Sequence, residues 1–224
     1  MGTDIHMAAE VRKNGKWELV TAKLFTGWGD EKTNIPYVGR NYNLFSMLAD
    51  VRNGYGFAGC ITGERIIPIS EPKGYPSDMC QKLKRNLECD NCNEWYLSND
   101  HSASFLTLKE LLEYDWSRTH KTIGVVSLEE YKKTLYKGKH PQEWCGGVGG
   151  GNIVMISEEE AKAMIEGKIP TLPDKSYYLR CWFPGRTYAE KAGSFYSETL
   201  PILKTLIPEG GTEEDVRIVF DFDS

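Results

Sequence analysis

Long apolar runs are missing from this chain. None approaches the roughly 18 residues that a spanning helix needs, so a helical membrane protein is not expected. An excess of basic charge is missing too: 27 Lys and Arg stand against 32 Asp and Glu, a net charge of −5. The broad positive face that duplex nucleic acid requires is therefore not expected either. Asp4 and Glu10 interrupt the opening stretch where an export signal needs unbroken apolar residues. The expectation is a cytoplasmic protein, in which Cys60, Cys80, Cys89, Cys92, Cys145 and Cys181 are thiols or metal ligands rather than disulfides. A Gly-Lys-Ser/Thr signature is absent, and the glycine run 146–151 precedes a strand instead of linking strand to helix. That order sets aside a triphosphate loop and a dinucleotide cofactor. Internal repeats and heptads are absent as well.

What is present is an ordinary globular composition, 40% hydrophobic and 26% charged over 224 residues, enough for one substantial core. Ile5, Met7, Ala9 and Val11 alternate with Asp4, His6, Ala8 and Glu10, the period of a strand with one dry and one polar face. Asn14-Gly15 then predicts a tight hairpin, with 17–20 returning antiparallel. Residues 25–40 read as a long loop and 43–51 as a short buried helix capped by Asn41 or Asn43 and ended by Gly54 and Gly56. Prolines 68, 72 and 76 make regular structure unexpected between 66 and 76. Three capping boxes, Thr107-x-x-Glu110, Ser127-x-x-Glu130 and Ser157-x-x-Glu160, open helices. Strands are expected at 123–126, 153–156 and 175–183, and a helix from Tyr188 through Leu203 that Pro201 bends or whose first half it ends. At the end, Val216, Ile218, Phe220 and Phe222 face one way, and Arg217, Val219, Asp221 and Asp223 the other. Strands at both ends with helices between, and no regular βαβ alternation, predict an α+β fold. Its mainly antiparallel sheet contains the N- and C-terminal strands, with helices packed on it and long irregular insertions. One domain, 1–224, is expected, with a Cys-containing insertion at about 77–99.

Three places invite chemistry. Asp4-x-His6 puts a carboxylate and an imidazole on one side of a strand, where they bind a metal, pass a proton, or form an inert pair on a solvated face. His101 and Ser102 precede the Thr107 box, so they are expected near a helix N-terminus that favours an anion; the alternative is a surface histidine beside capping hydroxyls. Cys89-x-x-Cys92 is either half of a zinc site, completed by Cys80 and by Cys60 or His101, or a pair of reduced thiols in a surface insertion.

Four blocks of the chain resemble a family of largely uncharacterised bacteriophage and bacterial proteins that open with Met-Gly-x-Asp-Ile-His. They are Met1-Gly2-Thr3-Asp4-Ile5-His6, Arg40-Asn41-Tyr42-x-x-Phe45 running to Val51-Arg52-Asn53, His101-Ser102-Ala103-Ser104 with Leu106-Thr107-Leu108-x-Glu110-Leu111, and Val216-Arg217-Ile218-Val219-Phe220-x-Phe222-Asp223. The resemblance brings no activity with it. It implies a shared constellation of Asp4, His6, Arg40, Arg52, His101, Ser102 and Asp223, from which Cys89-x-x-Cys92 departs.

Together these readings predict a pocket at the sheet edge. Asp4, His6 and His101 would serve catalysis; Arg40, Arg52 and Ser102 would hold an anionic ligand; and Asp4, His6 and Asp223, or Asp221 in its place, would hold Mn²⁺, Mg²⁺ or Zn²⁺. The expected activity is binding or metal-dependent hydrolysis of a phosphorylated small molecule, a nucleotide first among candidates, in the host cytoplasm if phage-encoded. A different class is a phage protein docking on a host protein through Trp28, Tyr37, Tyr55, Trp95 and Tyr96 in its loops.

Overall fold

The computed structural model describes residues 2–88 and 96–223. In chain order the first elements are strands β1 (Ile5–Lys13), β2 (Lys16–Leu19), β3 (Phe25–Thr26) and β4 (Lys32–Thr33), then helices α1 (Tyr42–Ala49) and α2 (Gln81–Glu88). Next come β5 (His101–Thr107), α3 (Leu108–Glu113), β6 (Thr119–His120), β7 (Ile123–Ser127), α4 (Leu128–Lys133), β8 (Ile153–Met155) and α5 (Glu158–Ile165). The last are β9 (Ser176–Trp182), β10 (Arg186–Thr187), α6 (Tyr188–Ala192), α7 (Leu200–Thr205) and β11 (Val216–Phe222). This is an α+β chain whose main sheet contains both terminal strands.

Contacts gather the chain into two compact units. One is Met1–Asn53, Ile66–Ser117 and Tyr188–Ser224; the other is Gly54–Arg65 with Arg118–Thr187. Residues 77–88 of the expected cysteine insertion belong to the first unit, 81–88 of them as α2; Cys89, Cys92 and Trp95 lie outside the described residues.

The first unit is built on a four-stranded sheet in the order β2-β1-β11-β5. The Asn14-Gly15 turn has the positive φ values, 50° and 74°, that a two-residue hairpin needs, so Lys13 faces Lys16 and β2 returns along β1. β11 runs antiparallel between β1 and β5, with Ile5 opposite Phe222 and Val11 opposite Val216. Central in the sheet, it is buried along its whole length. On one face Ile5, Met7, Ala9 and Val11 pack with Ile218, Phe220 and Phe222 against α1 and the helices after Tyr188.

The opposite face departs from the alternation. Ala8 and Glu10 are fully buried, because Met79, Leu83, Tyr96 and Leu97 cover them. A buried carboxylate needs a partner. Glu10 has two: Arg217 donates Nε to it at 2.7 Å and the Cys80 backbone N–H donates at 2.7 Å. The Arg217 guanidinium lies 3.8 Å from the Trp17 ring centroid and also pairs with Asp78. Once neutralised in this way, the polar face became a second core.

Three local expectations are corrected. Residues 25–40 are not all loop, since β3 and β4 form a small hairpin. α1 is capped by Asn41, whose side chain accepts from the Leu44 N–H, but it stops at Asp50 in a left-handed conformation rather than at Gly54. The helix after Tyr188 breaks at Gly193, φ 59°, and runs through a π-turn at Phe195–Thr199, while Pro201 sits without conflict in the first turn of α7. In the second unit, β7 and β8 flank β9, antiparallel and parallel respectively, and α4 and α5 start at the Ser127 and Ser157 caps.

Candidate functional site

The start of β1, the end of β11 and the start of β5 meet at one end of the main sheet, which brings most of the predicted site residues within a few strand spacings. They divide there into two groups. In the first, Arg40 forks the Asp4 carboxylate with Nε to Oδ1 at 2.9 Å and Nη2 to Oδ2 at 2.6 Å. Gly2 leaves room for this, since any side chain there would run into the guanidinium. Asp223 accepts from the Asp4 backbone N–H at 2.9 Å and faces His6 Nε2 at 3.1 Å. Burial raises the Asp223 carboxyl, but His6, the Asp4 backbone and Arg40 outweigh it and hold it below the usual carboxylate range. The Asp4 hydrogen bond and charge push Arg40 up.

That arrangement bears on the expected metal. Both Asp4 oxygens face Arg40, and His6 Nε2 faces Asp223. Among the described residues no three His, Cys, Asp or Glu side chains gather as a ligand set. As arranged, Asp4 with Arg40 and His6 with Asp223 form a chain-end clasp of two pairs. Cys80, at the start of α2, is buried, and burial pushes its thiol up; the Cys89 and Cys92 half of the expected zinc set lies outside the described residues.

A bulge forms the second group. β5 pairs with β11 regularly as far as Ser104 opposite Phe220, after which the register slips and His101 lies opposite Phe222. Ser102, inside the slip, has φ 52°. A one-residue slip reverses faces. Regular pairing would put His101 on the His6 side of the sheet; the bulge turns it to the Phe222 side, where its ring stacks on Phe222 with centroids 6.0 Å apart. His101 Nδ1 and Ser102 Oγ are 3.0 Å apart. Neither residue adjoins a helix N-terminus, contrary to expectation, because 101–107 is the strand β5 and the Thr107 cap lies at its far end.

His101 and Ser102 line a hollow of about 400 Å³ with Thr3, Ala49, Asp50, Val51, Arg52, Glu71 and Pro72. Arg52 donates from Nε to Thr3 Oγ1 at 3.0 Å, and its guanidinium lies over the Tyr42 ring. Asp50, Arg52 and Ser102 all have positive φ, 57°, 56° and 52°. Each such backbone costs about 1–2 kcal/mol in a residue with a side chain, so three around one hollow amount to a local concentration of strain of the kind found at functional sites. Asp4, His6 and Arg40 do not line it.

Sequence reasoning missed Thr3, Asp50 and Glu71. Asp50 carried a signal, since a helix ending with no adjacent glycine needs another residue in the left-handed region; Thr3 and Glu71 carried none. Asp221, the carboxylate offered as an alternative to Asp223, is fully buried and accepts from the Tyr75 hydroxyl, from the Ser98 N–H and Oγ, and from the Asn99 N–H. It fastens the segment leading into His101 to the sheet. Tyr75 is pushed up by burial and by this carboxylate, so it stays a donor. No family model, curated protein or solved structure matches the chain.

Proposed function

We propose that this chain binds a phosphorylated small molecule, a nucleotide first among candidates, in the hollow between α1 and the β5 bulge. What carries the reading is the convergence of a guanidinium, an imidazole and a hydroxyl, from Arg52, His101 and Ser102, on one cavity, with the buried Thr3 holding Arg52 in place. Guanidinium and hydroxyl donors suit phosphate oxygens. The carboxylates of Asp50 and Glu71 on the same wall suit hydroxyl or amine donors of the rest of the ligand. The clasp of Asp4, His6, Arg40 and Asp223 then has a supporting role: it ties the first residues of β1, and with them Thr3, to the end of β11. The resemblance to phage and bacterial proteins extends the proposal to interception of a host nucleotide signal.

The test is a thermal-shift and calorimetric panel of mono-, di-, tri- and cyclic nucleotides. At least one should raise the melting temperature of the wild type, and Arg52→Ala should remove that shift. Recovery of the ligand unchanged after denaturation separates binding from turnover.

A second reading has one observation behind it. Trp28 is 75% exposed at the tip of the β3–β4 hairpin, whereas Tyr37 and Tyr96, two of its companions in the sequence argument, are buried. An exposed tryptophan is an interface anchor. If a host protein is the partner, Trp28→Ala should abolish its stoichiometric capture and leave nucleotide binding intact.

A further inference from the structure

We propose that Ser102 is a nucleophile and His101 its general base, so that the hollow cleaves the phosphoester it binds by way of a covalent phosphoserine. The inference rests on the binding reading above and adds a reaction to it. Three features are those of an activated hydroxyl. The His101 Nδ1 to Ser102 Oγ distance, 3.0 Å, lies in hydrogen-bond range, with Nδ1 accepting when the proton sits on the other ring nitrogen. Stacking on Phe222 fixes the imidazole plane. Ser102 occupies a positive-φ bulge that opens on the cavity rather than a regular strand position. Arg52, held by Thr3, stands in the same wall as a counter-charge for the phosphoryl oxygens.

The reaction balances without a metal or a redox partner. Ser102 Oγ attacks phosphorus, and the Oγ–P bond forms as the bond from phosphorus to the leaving alcohol oxygen breaks, its electron pair departing with that oxygen. The hydroxyl proton passes to His101 Nδ1 and on to the leaving oxygen. Water then attacks the phosphoserine, gives its proton to His101, and the P–Oγ bond breaks as His101 returns that proton to Ser102.

An alkyl fluorophosphonate tests the nucleophile directly, since attack expels fluoride and leaves a stable adduct. Intact-mass measurement and peptide mapping of the wild-type protein should find one adduct, on Ser102, and none on heat-denatured protein. His101→Ala and His101→Gln should each slow labelling at least tenfold while retaining the wild-type circular dichroism spectrum. No adduct on Ser102, or labelling that is equally fast in both His101 variants, overturns the proposal. A protein whose melting temperature rises with nucleotide but which takes no adduct loses this inference and keeps the binding reading. One that labels at Ser102 through His101 but responds to no phosphorylated ligand keeps the nucleophile and loses the binding reading.

Discussion

Asp221 in β11 and Asp223 just past its end lie on the same side of the sheet, yet one is sealed from water and the other half open to it. Asp221 has no exposure and its oxygens are taken up by Tyr75, Ser98 and Asn99. Hydrogen bonds to a buried charge contribute about 1.5–3 kcal/mol each. Asp221→Ala should therefore lower stability by about 3 kcal/mol or more, read as a urea midpoint, and speed amide exchange at Ser98 and Asn99. Asp223 has a side chain 42% exposed, so its pair with His6 is screened and contributes on the order of a few tenths of a kcal/mol. Its folded pKa is depressed. That contribution is present above the unfolded carboxylate value and fades as pH falls through the folded one. Wild type should melt slightly above Asp223→Asn at pH 6, with the gap closing below about pH 4. A gap that widens in acid would contradict the assignment. Sequence showed these residues as an acidic pair by strand alternation; which one is buried depended on the 96–100 segment, which carries no periodic signal.

Among the elements, what was legible is what local chemistry determines alone. The Asn14-Gly15 hairpin and the Thr107 and Ser157 capping boxes formed where the residues demanded. The bulge in β5 did not announce itself, because Ser102 takes the left-handed conformation without being glycine. That slip moved His101 from the face of His6 to the face of Phe222, and so divided one expected pocket into a clasp and a hollow. Strain there is testable. Ser102→Gly should stabilise the protein by up to about 1 kcal/mol by relieving the left-handed conformation, whereas Gly15→Val at the hairpin, φ 74°, should destabilise it by a similar amount. Paired thermal melts would check both. Loss of stability in Ser102→Gly would mean that the serine side chain holds the bulge together and that no strain is stored.

At the scale of the whole chain, the alternating patterns at 5–11 and 216–222 were enough to place the two ends side by side, as the pairing of Ile5 with Phe222 bears out. The division into two units was not legible, because the segment that leaves the first unit at Gly54 and returns at Ile66, although rich in glycine, also carries Tyr55, Phe57 and Ile61 and reads as a loop within one domain. The burial of both faces of β1 was hidden as well, since Glu10 reads as a solvent residue until Arg217 is known to meet it. The sheet thus holds Thr3, Arg52, His101 and Ser102 around one cavity by long-range pairing rather than by any contiguous motif. Isothermal titration of the wild type and of Arg52→Ala with a nucleotide panel tests that convergence most directly. The wild type should bind at least one nucleotide stoichiometrically, and Arg52→Ala should lose at least tenfold in affinity with the fold intact. Binding that is unchanged in Arg52→Ala, or no binding by the wild type to any phosphorylated compound, would contradict it.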